Sequence, residues 1–255
     1  MKIKVVNTGS QNGNCYILES ESEALILDAG CQYKDILKAL QWNISKVCGV
    51  LISHIHSDHS KAFKDFIRAG IPVYTNDETA DHFEVITGEK MRGVPEKVSF
   101  KCGCFTITPF YIPHTTKNRE TGKLIPCPNF GFHILHEEMG QLVYMTDFEY
   151  PKLSFRKSRI EHLLCEVNYC DELADREEAN YRHRLQGHLS LNTFKEKVLK
   201  QNLTPDMQNI ILCHLSDSAA DEEQILSEVK EIAGSRVNVN IANPGLSVEL
   251  NRFPF

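Results

Sequence analysis

The sequence predicts a mixed α/β fold, two facing β-sheets with helices on their outer sides, built as a single domain over residues 1–255. Three observations carry this expectation. Short apolar, strand-like runs recur in both halves of the chain, and segments of helical period lie between them. No tandem repeat, low-complexity tract or linker rich in Gly or Pro divides the chain. At 255 residues the chain is long enough to bury a large core.

In chain order, strands are expected at residues 3–6, 15–18, 24–27 and 47–52, with Gly13-Asn14 and Glu21-Ser22-Glu23 as turns between the early ones. Ile36, Leu37 and Leu40 have helical spacing within residues 33–42; Ala62, Phe63, Phe66 and Ile67 share one face of a second helix, ended by Gly70-Ile71-Pro72. A third helix is expected over residues 79–87. Residues 97–100, 105–111, 130–136 and 141–145 read as a second set of strands, with a hairpin turn at Glu137 to Gly140. Cys102-Gly103-Cys104 reads as a turn between strands, too tightly spaced for a zinc knuckle. A strand at 160–165, helices at 175–185 and 191–201, a strand at 210–213, a helix at 221–232 and strands at 237–241 and 246–250 complete the pattern. Residues 115–129 form the longest stretch without a periodic signal and read as a functional loop or lid.

Composition narrows the class. Hydrophobic content of 42% and charged content of 24% are ordinary for a soluble globular protein, and no apolar run approaches a membrane span. The N-terminal MKIKVVNTGS enters a strand-like pattern without the apolar core of a signal peptide. The nine cysteines are odd in number and scattered, which fits reduced thiols and a cytoplasmic location. A net charge of -6 disfavours a simple nucleic-acid coating protein but leaves room for a nuclease, since bound divalent cations alter the local field. No obligatory protein partner is evident.

The chemistry is concentrated in His54-Ile55-His56-Ser57-Asp58-His59, directly after the apolar run Val47 to Ile52. Imidazoles and carboxylates at this density suit Zn, Mn or Fe, and burying them unpaired is costly. Other apolar runs also stop at metal-competent residues: Leu25-Ile26-Leu27 at Asp28, Phe110 to Pro113 at His114, Leu142 to Thr146 at Asp147, and Ile210 to Cys213 at His214. Strands of a packed sheet end near one another, so these residues can converge on one rim. His82, His133, His136 and His162 fit no motif and read as ordinary surface or core residues.

An Asp, then HxHxDH, then His, Asp and His is an order that resembles the metallo-β-lactamase superfamily. The resemblance implies a four-layer αββα sandwich holding two divalent metal ions, Zn or Mn with Fe also accepted. It implies that His54, His56 and His114 hold one metal and Asp58, His59 and His214 the other. Asp147 would bridge them, and Asp28 would support a ligand imidazole from behind. Two metals at about 3.5–4 Å share a hydroxide that serves as the nucleophile, with Asp58 counted among the catalytic residues.

Further stretches point to a branch. Ser10-Gln11-Asn12-Gly13-Asn14-Cys15, Glu166-Val167-Asn168, Gly187-His188-Leu189-Ser190 and Cys213-His214-Leu215-Ser216 together resemble the YycJ/WalJ branch, whose members look like DNA exonucleases and lie near the RNase Z and RNase J phosphodiesterases. The chain departs from that branch at Tyr169, where a His is usual, and at Asp217 to Asp221 in place of an Asn-rich tail. The implied activity is a metal-dependent phosphodiesterase or nuclease acting on nucleic acid, DNA rather than RNA. The alternative is a hydrolase of small thioesters, esters or lactones on the same metals. Glu166 and Asn168 are expected behind the ligands. His188, read as standing at a helix start from Leu189, is a candidate phosphate contact or proton donor. Ser190, Ser216, Lys152 and Arg156 are candidate substrate contacts, the last two within a basic cluster with Lys157 and Arg159; Lys117, Arg119 and Lys123 in the loop, and Arg182 and Arg184, add further positive charge.

Overall fold

Period-two alternation sends neighbouring residues of the apolar runs to opposite faces, so each run is buried on both sides. Leu25 and Leu27 belong to one apolar cluster while Ile26 belongs to another. Leu164 and Ile211 likewise face the first cluster, whereas Leu163, Cys165, Ile210 and Leu212 face a third. A computed structural model of the chain, describing residues 1–118, 121–151, 153–175 and 181–252 apart from the side chains of Arg182 and His183, shows how these clusters stack.

The first sheet runs through β1 (Lys2–Asn7), β2 (Cys15–Glu19), β3 (Ala24–Leu27), β4 (Val47–Leu51), β5 (Val73–Thr75) and β6 (Arg92–Gly93) in that spatial order. The second contains β7 (Phe100–Cys102) and β8 (Phe105–Tyr111). A separate two-stranded ribbon, β9 (His114–Lys117) with β10 (Leu124–Cys127), follows in the chain. The second sheet continues with β11 (Phe130–His136), β12 (Gly140–Met145), β13 (His162–Glu166), β14 (Asn209–Cys213) and β15 (Asn238–Ile241), in the order β15-β14-β13-β12-β11-β8-β7. The closing strand β16 (Ser247–Glu249) returns to pair with β1.

Between the sheets lies a core that includes Tyr16, Leu25, Leu51, Phe105, Phe132, Tyr144 and Ile211. Helices α1 (Tyr33–Ala39), α2 (Ser57–Ser60), α3 (Phe63–Arg68) and α4 (Asp77–Thr87) follow the strands of the first sheet, and Ile36, Phe63, Phe66 and Phe83 bury its outer face. On the second sheet the outer layer is α5 (Tyr181–Gly187), α6 (Leu191–Thr193), a π-helical continuation Phe194–Leu199, α7 (Lys200–Asn202) and α8 (Glu222–Ala233), with Phe194, Val198, Ile225 and Val229 inserted. The mixed α/β reading with two large sheets is thus what the chain adopts.

Each sheet is antiparallel on one side and parallel on the other. β3, β4, β5 and β6 run parallel, as do β12, β13, β14 and β15. Neighbouring parallel strands bring their carboxyl ends to a common edge, which is where α/β sheets place ligands. That edge carries Asp28, His54, Asp147, Glu166 and His214.

Several elements differ from the sequence reading. Residues 115–129 are not structureless: His114 pairs with Cys127, Thr116 with Ile125 and Lys117 with Leu124. Thr115 and Thr116 are β-branched and favour extended backbone; Pro126 is tolerated because the ribbon has open edges, and its presence hid the strand. The strand expected at 97–100 lies at Phe100–Cys102, since Lys97 adopts a left-handed φ of 61° that interrupts pairing. β5 and β6 give little signal because they span only Val73–Thr75 and Arg92–Gly93. Of the helix expected at 175–185, residues 176–180 lie outside the described residues; the described helix is Tyr181–Gly187. Among the described residues no helix is long and apolar enough to cross a membrane.

Phe132 sits at 0% exposure between the sheets, whereas Ile86 on α4 is 60% exposed. Phe132→Ala is expected to cost about 3–5 kcal/mol of stability in urea unfolding, and Ile86→Ala no more than about 0.5 kcal/mol.

Candidate metal centre

The chain turns sharply where the parallel strands end. Asp28, Asp147 and His214 follow β3, β12 and β14, and all three hold left-handed backbone, with φ of 55°, 54° and 55°. A non-glycine residue in this region costs of order 1–3 kcal/mol and persists only where the surroundings enforce it, a pattern common at functional sites. The HxHxDH loop is seated just as firmly. The amides of Asn14 and Ala29 donate to the carbonyls of Asp58 and His59 at 2.7 and 2.8 Å. Gly30 makes that approach possible: a Cβ there would stand 1.7 Å from the Asp58 carbonyl oxygen.

These constraints gather two sets of donor atoms. His54, His56, His114 and Asp147 bring one ligand atom each to within 4.8 Å of one another, and Asp58, His59 and His214 form a second such group. Asp147 faces both. Its Oδ2 lies 3.7 Å from His54 Nε2 and 4.0 Å from His114 Nε2, while Oδ1 lies 3.3 Å from His59 Nε2 and 3.5 Å from His214 Nε2. Asp58 Oδ2 is 3.3 Å from His59 Nε2 and 3.5 Å from His214 Nε2.

Most of the imidazoles are oriented through their second nitrogen, which fixes how the first is presented. His59 Nδ1 donates to Asp28 Oδ2 at 2.6 Å, and His114 Nδ1 donates to the Gly187 carbonyl at 3.0 Å. His54 Nδ1 meets Ser53 Oγ at 3.0 Å, His56 Nε2 meets Thr116 Oγ1 at 2.9 Å, and His214 Nδ1 meets Glu166 Oε1 at 3.1 Å. Asp28 and Glu166 thus meet the nitrogens of His59 and His214 that face away from the donor groups. Asn168 joins them by donating to the His214 carbonyl at 2.8 Å. Ser53, Thr116 and Tyr144, which donates to Asp28 at 2.5 Å, were not anticipated. Ser53 adjoins the motif and was in reach; Tyr144 lies mid-strand, with nothing in the sequence to set it apart.

The two groups differ electrically. Burial, reinforced by neighbouring imidazoles, holds His54 well below the ordinary imidazole range and His114 down to about 3, against the pull of Asp147. Both therefore present neutral lone pairs, the form a metal requires. In the second group burial opposes charge, but carboxylates outweigh it: Asp147, Asp58 and Asp28 raise His59, and Asp147, Asp58 and Glu166 push His214 up to about 10. Burial likewise works against ionised Asp58 and Asp147, yet the facing imidazoles keep both low. Protons on His59 and His214 thus balance buried carboxylates, a balance that a divalent cation supplies in their place. His214 Nε2 is buried and makes no hydrogen bond. An orphaned ring nitrogen between two carboxylates fits a metal position.

Beside the second group opens a cavity of about 490 Å³ lined by Asn168, His188, Ser216, Lys117 and Arg184, among others. His188 does not sit at a helix N-terminus. Its amide donates to the Arg184 carbonyl at 3.0 Å, so it closes α5, and the next helix begins after Ser190. What positions its ring is Glu166, 2.6 Å from Nδ1, with the ring stacked on His214 at 5.3 Å. Ser190 is buried and caps α6 by accepting from the Thr193 amide at 3.2 Å, which draws its hydroxyl away from the cavity. Arg156 is also placed elsewhere, donating to the Leu203 carbonyl at 3.2 Å, and Arg159 pairs with Asp206. Lys152 and Arg119 lie outside the described residues.

Asp28→Asn removes the charge behind His59 while keeping the side chain's volume. The expected outcome is metal binding weakened about 10–100-fold in chelator competition; unchanged affinity would show that His59 does not need that partner.

Comparison with known proteins agrees with this geometry. Over 92 residues the chain is 33% identical to the exodeoxyribonuclease YycJ of Bacillus anthracis, a stretch covering 34% of each protein. The chain thus spans about a third of that relative's length. Its fold matches the metallo-beta-lactamase fold protein YhfI of Bacillus subtilis with a TM-score of 0.71 at 18% identity, covering 97% of this chain and 98% of that one. It matches the short form of human tRNase Z with a TM-score of 0.63 at 16% identity, over 98% and 99% of the two chains. Residues 8–148, from the first turn of the chain through the aspartate that faces both donor groups, match the metallo-beta-lactamase superfamily, and the chain belongs to that superfamily of metal-dependent hydrolases.

Proposed function

We propose that this protein is a dinuclear metal-dependent phosphodiesterase that degrades nucleic acid, DNA in preference to RNA, from an end. The observation that carries the reading is the Glu166–His188 pair. Glu166 is fully buried and grips His188 Nδ1 at 2.6 Å, and His188 lines the cavity beside the second donor group. A histidine held by a buried carboxylate next to a metal centre is equipped for proton transfer. The likeness to an exodeoxyribonuclease and to tRNase Z supports a phosphodiester substrate.

In this reading His54, His56 and His114 would hold one metal ion and Asp58, His59 and His214 the second, with Asp147 shared between the two groups. When bound, such a pair activates water near neutral pH and offsets charge on a phosphoryl oxygen. The protein's own groups do the rest. Asp58, the least buried of the donor carboxylates with its side chain at 20% exposure, accepts a hydrogen bond from the attacking water and orients it. His188, held by Glu166, delivers a proton from Nε2 to the departing oxygen. Lys117, Arg184 and Ser216 line the cavity and contact phosphate oxygens on either side.

End-labelled single- and double-stranded DNA and RNA, incubated with the protein and Mn2+ or Zn2+, are expected to show stepwise loss of terminal nucleotides, fastest on DNA and absent in His56→Ala. His188→Ala is expected to lower kcat about 10²–10⁴-fold with metal content unchanged. Intact nucleic acids alongside turnover of thioesters or lactones would replace this reading with a small-molecule hydrolase.

A further inference from the structure

A second set of metal-ligand side chains lies at the far end of the sandwich. Glu23 immediately precedes β3, whose other end delivers Asp28 to the rim. His136 is the last residue of β11, and the first residue of that strand follows Asn129 at the rim. Cys104 sits in the turn between β7 and β8, and β8 runs from there towards His114. At about 3.3 Å per residue, the seven residues of β11 place His136 about 20 Å from the rim. The ligand atoms of Glu23, Cys104 and His136 all lie within 4.8 Å of one another. Glu23 belongs to the first sheet's chain and the other two to the second, so the cluster spans the gap between the sheets.

The local backbone is built around the Glu23 carboxylate. The Cys104 amide donates to both of its oxygens at 3.1 Å, and His136 Nε2 donates to Oε1 at 3.2 Å. Gly103, with a left-handed φ of 57°, lets the turn press against the acid: a Cβ there would meet Glu23 Oε2 at 2.0 Å. His136 is buried, Glu23 half-buried, and Cys104 is exposed, unlike the other eight cysteines. Thiolate, imidazole and carboxylate are the donor types that zinc takes in tetrahedral sites, with water available for the fourth position on the exposed side.

We propose that Glu23, Cys104 and His136 form a separate site for a single divalent ion of the zinc class, which clamps the two sheets at the end opposite the catalytic rim. Binding replaces the Cys104 thiol proton, released to solvent, with a sulfur–metal bond. The His136 proton moves from Nε2 to Nδ1 so that Nε2 faces the ion. That shift gives up the 3.2 Å bond Nδ1 now accepts from the Glu138 amide, which lies in an exposed turn where water replaces the lost acceptor. The inference does not depend on what the rim hydrolyses, because its ligands and readouts lie elsewhere.

Cobalt distinguishes the two sites, since a thiolate ligand gives an intense sulfur-to-metal charge-transfer band and the rim donors are nitrogen and oxygen. Full-length protein saturated with Co2+ is expected to show that band, and Cys104→Ser to lose it while keeping the weaker ligand-field bands of the rim. Glu23→Gln is expected to weaken the band's Co2+ affinity about 10-fold or more. In His56→Ala, added Zn2+ should still slow alkylation of Cys104 by iodoacetamide several-fold. Absence of the band in the native protein, its survival in Cys104→Ser, or an alkylation rate indifferent to Zn2+ would overturn the assignment. Because Cys104 is exposed and its side chain fills no core space, the serine variant is expected to fold as the parent does.

Discussion

Asp28 is a fully buried carboxylate that accepts from groups on every side of the rim. The Ser53 amide reaches Oδ1 at 2.7 Å; the Ser53 hydroxyl, the His59 imidazole and the Tyr144 hydroxyl reach Oδ2 at 3.0, 2.6 and 2.5 Å. Asp28 ends a strand of the first sheet, Tyr144 belongs to the second, and Ser53 and His59 bracket the histidine motif. One charge therefore joins both sheets and the ligand loop. A buried carboxylate is tolerable only when saturated with donors, so the positions of all these groups are interdependent. Losing any one donor leaves part of the charge exposed to an apolar interior.

Around this anchor the rim is strained and electrically balanced. Three residues in left-handed backbone aim their side chains inwards from strand ends, a cost sustained by the close-packed sheets behind them. The two donor groups are not equivalent. In one, burial keeps His54 and His114 neutral; in the other, carboxylates around His59 and His214 favour their protonated form, a charge that a divalent cation can supply instead. The same carboxylates that raise His59 and His214 also form a negative pocket for a divalent ion, so charge balance and ligand supply have one origin. Glu166 extends the arrangement outwards, touching His214 with the same oxygen that holds His188.

At the closed end of the sandwich the contacts that join the sheets are polar as well. Glu23, Cys104 and His136 meet where the turn from β7 to β8 folds against the start of β3. The molecule is thus tied between its sheets at both ends by a carboxylate, with an apolar core between them.

The sequence by itself determined the inventory of candidate donor residues and the class of fold. The apolar runs that stop before Asp28, His54, Asp147 and His214 are ends of strands with a parallel neighbour, while the run before His114 ends the antiparallel β8; period-two alternation plus helical spacing sufficed to place most elements, because both are local consequences of burial. Short or proline-bearing strands escaped: Val73–Thr75 is too brief for a period, and Pro126 disguised the ribbon at residues 114–127. Only the tertiary structure decided which side chains share a site. Ser53 and Tyr144 converge on Asp28 across 25 and 116 residues of chain, and nothing local to either announces it. Arg156 and Arg159, close in sequence, turn to Leu203 and Asp206, while Lys117 and Arg184, from two other basic stretches, line the cavity. His188 was legible as a candidate but not its support, since Glu166 ends β13 and His188 follows α5, and only the packing of that helix on the sheet brings them together. Spacing reports the face a residue takes on its own element; which faces meet is set by how the sheets pack, and that information is distributed over the whole chain.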